Sequence, residues 1–280
     1  MKIIRIPFIV PIILMCLLGF ISPTWADSDA NKTYVQLLNE VFQTELVYPQ
    51  GKGEVQIFLE GAYSEGDEGK GYHLPLVIEY GITDSWQLGL DWTLFQQHNP
   101  EDGHTGSGSG DLALTTKYAF MNIGGSDFHA SLNFAVEFPI ADIDKHLTEG
   151  FTVYEPSLSL AKDFTGNNSQ IFTQIGVGFV DRTREPTDPA DKVTIHDEFF
   201  WSSGFFIPYN KEIIFSGEFS WVSDELEPEG HENLLYLTPG VIWSLPGHHW
   251  EFGLAVPIGL NDESDDWGIL LALIYEFDTH

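Results

Sequence analysis

The sequence predicts an all-β chain: a twelve-stranded antiparallel transmembrane β-barrel preceded by a short N-terminal helix. Three observations predict it. Stretches of about ten residues alternate apolar and polar side chains with period two. The connections between them alternate short and long. Aromatic residues recur at stripe ends (Trp86, Phe128, Trp221, Trp243, Trp250 and Trp267), as an interfacial girdle requires. A soluble β-sandwich or barrel also alternates. Stripes of membrane-spanning length on nearly every strand, backed by a face of Gln, Glu, Asp, Thr and Gly that suits a wet lumen, favour the membrane.

The chain begins with Met1, Lys2 and Arg5, followed by an apolar run from Ile6 to Ile21 and small residues around Thr24-Trp25-Ala26. Residues 1–26 therefore read as a signal peptide cleaved after Ala26. The single cysteine, Cys16, falls within it, so the mature chain is expected to lack disulfides, thiolate metal sites and a Cys nucleophile. Residues 27–51 read as a helical segment. Tyr34, Leu37, Leu38, Val41, Phe42 and Leu46 have helical spacing, with Asp29 or Asn31 as the cap.

The barrel is expected over 52–280. Its clearest stripe is Trp86, Leu88, Leu90, Trp92 and Leu94, alternating with Gln87, Gly89, Asp91 and Thr93. Eleven others run from Val55–Tyr63 to Trp267–Phe277. Thr83-Asp84-Ser85, 121–127, 162–168, Tyr209-Asn210-Lys211 and 245–248 are the short connections. Segments 64–71, 98–110, 139–150, 181–196, 223–233 and 260–266 are the long ones.

The 280 residues carry 42 acidic and 12 basic side chains, a formal net charge of −30. That sign excludes a nucleic-acid binder, which needs a basic stripe. An aromatic content of 14% excludes a disordered acidic chain. Five of the six long loops are dense in Asp and Glu, which keeps the loops solvated, forms a mouth that concentrates cations, or holds divalent ions that bridge the loops to lipopolysaccharide phosphates. In the strand register Glu60, Glu79, Asp91, Asp111, Glu137, Glu155, Glu198, Glu218 and Glu251 point inward, and Lys117 is the main inward base. Two pairings are expected: Lys117 with Asp91, and Asp111 level with Glu137 on a hairpin whose paired positions sum to about 248. The second would form a cation-selective constriction.

Pro75–Asp91, with its Gly-Ile-Thr-Asp turn, and Gly108–Tyr118, with its Gly-Asp-Leu, resemble a family of outer-membrane barrels named for the MetA pathway of phenol degradation and often called simply transporters. The resemblance covers residues 52–277, with its motifs in 75–118. It implies an outer-membrane barrel that passes small, hydrophobic molecules, and it brings no catalytic residues.

No P-loop, Gly-x-Ser-x-Gly or His-Glu-x-x-His is present. Gly106-Ser-Gly-Ser-Gly110 opens a strand, not a helix, and reads as a surface loop. The histidines are scattered, and His248-His249 lacks a fixed third ligand, so neither a metal site nor a cofactor is expected. The expected function is a channel or transporter for small neutral, hydrophobic or cationic molecules. A non-conducting barrel that binds cations or partners through acidic loops is the alternative, and a lipolytic enzyme the weaker one. Expected partners are membrane lipids, lipopolysaccharide, the outer-membrane assembly machinery, which would read the aromatic C-terminal strand, and a small solute. No nucleic acid is expected.

Overall fold

The computed structural model describes residues 34, 36–38, 40–67, 69–100, 105–148, 150–181, 197–223, 233–245 and 249–279. The expected signal peptide, the capping residues Asp29 and Asn31, and the acidic runs within 182–196 and 224–232 lie outside them. Among the described residues, twelve long strands form one closed antiparallel sheet. They are β1 (Glu54–Gly66), β2 (Gly69–Thr83), β3 (Trp86–Pro100), β4 (Leu112–Phe120), β5 (Phe128–Phe138), β6 (Val153–Phe164), β7 (Ser169–Val180), β8 (Glu198–Pro208), β9 (Ile213–Ser223), β10 (Asn233–Ser244), β11 (Trp250–Ala255, resumed at Ile258–Gly259) and β12 (Trp267–Asp278). Each pairs with the next, and β1 closes on β12 from Glu54↔Asp278 to Glu65↔Trp267. Closure leaves no sheet edge, the condition for placing strands in lipid.

Period-two alternation puts the apolar set outside. Leu114, Leu132, Ile175, Leu254 and Leu271 are exposed on the outer surface, whereas Lys117, Ser131, Ser159 and Glu218 are buried inside. Aromatic rings mark both rims of the outer band. Trp250 stacks on Tyr275 at the short-turn end, and Tyr63 packs on Tyr72 and Trp267 at the other. Lys162, at the short-turn rim, holds its ammonium 4.7 Å from the Phe128 ring centre.

The structure adjusts several expectations. Segment 64–71 is not a long loop: β1 and β2 run on to a tight hairpin and pair Gly66 with Gly69. A bulge opposite Leu74/Pro75 adds one residue to β3, so Phe95 rather than Leu94 continues the outer stripe. β11 breaks at Val256-Pro257, where proline supplies no N–H. Val256 N–H still donates to Pro239 O at 3.0 Å, and Gly268 N–H to Pro257 O at 2.9 Å, which keeps the register.

Among the described residues between 34 and 51 none is helical, and the rest of the expected helical segment lies outside them. The described part of the segment is an irregular chain that fills the short-turn half of the barrel. Leu38, Val41, Phe42, Leu46 and Val47 pack against inward Phe58, Phe172, Phe206, Ile214, Ile242 and Ile274. Its apolar residues satisfy an apolar belt around the short-turn half of the lumen. A lone helix face would leave most of that belt uncovered.

On this arrangement Leu271→Arg, facing lipid, should cost about 2–4 kcal/mol in refolding into vesicles, and Ala135→Arg, facing the lumen, less. Gly89 is a poor lumen control, because a Cβ there would lie 2.3 Å from Thr115 Oγ1. Equal costs at Leu271 and Ala135 would contradict the assignment of faces.

Candidate functional site

The lumen is the site, and residues 34–51 are its principal occupant. Tyr34 and Tyr48 lie side by side, with ring centroids 6.1 Å apart. Between them the chain rises to Phe42 and Gln43 and returns to Gln50 beside the start of β1. It is a re-entrant plug, in and out through the short-turn end.

An irregular segment inside a barrel needs partners for its backbone. The inward face of the barrel provides them. Glu218, on β9, accepts from the N–H groups of Phe42 and Gln43, one on each carboxylate oxygen, both at 3.0 Å. Gln174 accepts from Glu45 N–H at 3.1 Å, and Ser159 donates to Glu45 O at 2.9 Å. Gln87 accepts from Gln50 N–H at 2.8 Å. The Gln50 side chain donates to Gln56 at 2.7 Å and to Glu79 at 3.0 Å. Gln43 Oε1 accepts from Ser220 and Thr238 at 3.0 and 2.9 Å.

Two further clusters fix the plug near the short-turn end. Buried Asp163 accepts from His129 Nε2 at 2.9 Å, from Gln170 at 2.7 Å and from the Tyr48 hydroxyl. His129 Nδ1 accepts from Asn122 N–H at 3.0 Å, so the proton sits on Nε2 and the ring is neutral. In the second cluster Lys117 lies 2.5 Å from Glu45 and donates to Tyr48 O at 3.3 Å. Ligand oxygens of Glu40, Glu45 and Glu79 all lie within 4.8 Å of one another. The Lys117 ammonium supplies the positive charge there, so this triad reads as an ion-pair network.

Lys117 therefore does not pair with Asp91, as the sequence suggested. Lys117 stands opposite Gln87 and Asp91 opposite Ala113, four residues farther up the ladder. A lumen ion pair exists, but its acid comes from the plug. The β4–β5 pairing also differs. Leu112↔Phe138 and Ala113↔Glu137 set the register, two residues from the expected one. Asp111 precedes β4 and accepts from Ala141 N–H at 2.9 Å, so it anchors a loop instead of facing Glu137 directly.

The remaining acids form a graded wall. Glu137 lies within electrostatic reach of Glu155, Asp111, Asp91 and Glu198 in the long-loop half. Lower down, Glu60 lies within reach of Glu218 and Asp91. Glu79 is tied to the plug, and Glu251, at the short-turn end, accepts from Ser244 at 2.5 Å. Lys117 is the one Lys or Arg among the described lumen-facing residues, and the plug neutralises it. The sequence reading missed Glu40 and Glu45 as lumen acids because helical spacing placed them on a separate element.

The seat of Phe42 is cut to shape. A Cβ at Gly240 or Gly253 would come within 2.5 or 2.8 Å of its ring. The loop between β5 and β6 closes part of the mouth from the other side. Leu147 and Phe151 are buried, Gln96 donates to Leu147 O, and a Cβ at Gly106 would strike Lys145 O at 2.0 Å.

No family model matches the chain, and no curated protein matches it in sequence. Its fold is that of solved outer-membrane channels. The COG4313 outer membrane channel from Pseudomonas putida F1 superposes with a TM-score of 0.66 at 11% identity, covering 85% of this chain and 100% of that one. The NanC porin gives 0.55 at 10% identity, covering 80% and 100%. The KdgM porin gives 0.54 at 10% identity, covering 79% and 99%.

Phe42→Ala should weaken plug docking by about 3–5 kcal/mol, the usual cost of emptying an aromatic seat. Hydrogen exchange at the Phe42 and Gln43 amides, which Glu218 protects, measures it. Full retention of protection would mean that the polar ladder alone holds the plug. The barrel amides should stay protected in either case.

Proposed function

We propose that the protein is an outer-membrane channel for small solutes, with residues 34–51 as its gate and the acidic wall as its cation filter. One observation carries the reading: among the described residues the lumen presents a run of carboxylates, and its single base is already neutralised by the plug. A passage lined this way attracts cations, admits neutral molecules and repels phosphate and organic acids. Entry of hydrophobic molecules, the role implied by the resemblance to the phenol-pathway barrels, draws support from the apolar belt that the plug now covers. In this reading the chain is exported by a signal peptide cleaved after Ala26, and its outer stripes meet lipid and lipopolysaccharide. The assembly machinery would read the last strand, β12.

A second reading is a non-conducting barrel that binds cations or partners through its acidic loops. The occupied short-turn half of the lumen favours it, since five apolar plug side chains are buried against the wall. Lipid hydrolysis is not proposed.

Deleting residues 34–50 should raise single-channel conductance in a planar bilayer several-fold. Restricting the change to Glu137→Gln with Glu155→Gln should shift the reversal potential in a salt gradient toward lower cation preference. A deletion variant as silent as the intact protein would sink the channel reading and leave the interaction barrel. An unchanged reversal potential would remove the acidic wall from the mechanism.

A further inference from the structure

The other wall of the mouth has different chemistry. His73 on β2, His98 on β3 and His146 in the β5–β6 loop line one cavity of about 400 Å³ above the plug. The sequence left these histidines scattered. The β2–β3 register unites the first two: His73 pairs with Gln96 and Gly71 with His98, so the imidazoles are diagonal neighbours on the inward face. Diagonal neighbours on a β-ladder stand about 7–8 Å apart, within reach of a common ion for side chains of this length.

Gln96 links the His73 ring to the backbone of the loop that carries His146. Its amide nitrogen donates to Leu147 O, beside His146, and its oxygen lies 2.7 Å from His73 Nε2. The His73 proton therefore sits on Nε2, leaving the Nδ1 lone pair free. An imidazole that donates one N–H to an oriented acceptor and offers the other nitrogen is arranged as a metal ligand with its supporting partner in place. Among the described residues no hydrogen bond engages the His98 or His146 ring. The cavity wall contains Asp265 and neither Lys nor Arg. Lys145, next to His146, is directed to Asp142 at 3.5 Å.

We propose that His73, His98 and His146 form a capture site for a borderline divalent transition-metal cation such as zinc, with Gln96 as the positioning residue. Three neutral imidazoles with an open fourth position suit that class, and carbonyl- or carboxylate-seeking calcium and magnesium are poorly served. The three rings line the cavity without their nitrogens all lying within 4.8 Å of one another, so binding requires them to rotate onto the ion, which suits capture and release at a mouth. The site works as a binding site whether or not the barrel conducts.

Zinc chloride titrated into the refolded full-length protein in detergent, followed by calorimetry, tests this. One saturable equivalent is expected. His73→Ala with His98→Ala should abolish it. Gln96→Leu, which touches no ion, should weaken it by about 10–100-fold. Calcium chloride should give no matching heat. Electrophoretic heat-modifiability would verify that each variant is folded. Zinc binding that is absent, that survives the double substitution in a folded barrel, or that is lost only on changing His248 and His249, would overturn the proposal.

Discussion

Inside a bilayer every backbone N–H and C=O has to find its partner within the protein, and this requirement organises the whole molecule. The wall meets it by closing: β1 pairs with β12 along its length, so no strand edge faces lipid. The plug meets it another way. It has no regular secondary structure, so its amides and carbonyls are satisfied by Glu218, Gln174, Gln87, Ser159 and Lys117. The polar inward face of the barrel is thus a scaffold for one particular segment as well as a lining for water.

That scaffold divides the lumen. In the short-turn half, apolar side chains of the plug and the wall pack as a core, around Phe42 in its glycine-cut seat. The long-loop half is open and polar, with carboxylates along β3 to β8 and histidines on the β2–β3 side. The boundary lies near Glu218 and Gln43, where the plug reaches its apex. A segment that enters and leaves by the same end can be withdrawn without threading the chain through the wall, which is why the proposed gate is this segment rather than the β5–β6 loop.

Charge explains why the plug is held by acids and amides. The chain has few bases, and among the described residues the lumen holds one Lys or Arg, Lys117. Buried carboxylates are costly unless each finds donors. Glu218 finds two backbone N–H groups, Asp163 finds three side-chain donors, and Glu45 finds the ammonium. Removing the plug would strip Glu218 of its backbone donors, Asp163 of the Tyr48 hydroxyl and Lys117 of Glu45, and would uncover the apolar belt of the lower lumen.

The strand count, the outer face and the inward direction of Glu60, Glu79 and Glu218 were legible in the sequence, because period-two alternation is a local property that any barrel must obey. Register was legible only approximately. A hairpin register depends on how many turn residues join the ladder, and Asn122–Ser126 coil into a short 3-10 turn that no alternation reveals. The fate of residues 34–46 was hidden for a stronger reason. Their apolar spacing satisfies a helix, but the surface that they cover, assembled from β1, β7, β8, β9, β10 and β12, exists only once the barrel closes. The partner of Lys117 and the meeting of His73, His98 and His146 depend on the same closure, since contacts between residues distant in the chain are set by the sheet and not by sequence spacing.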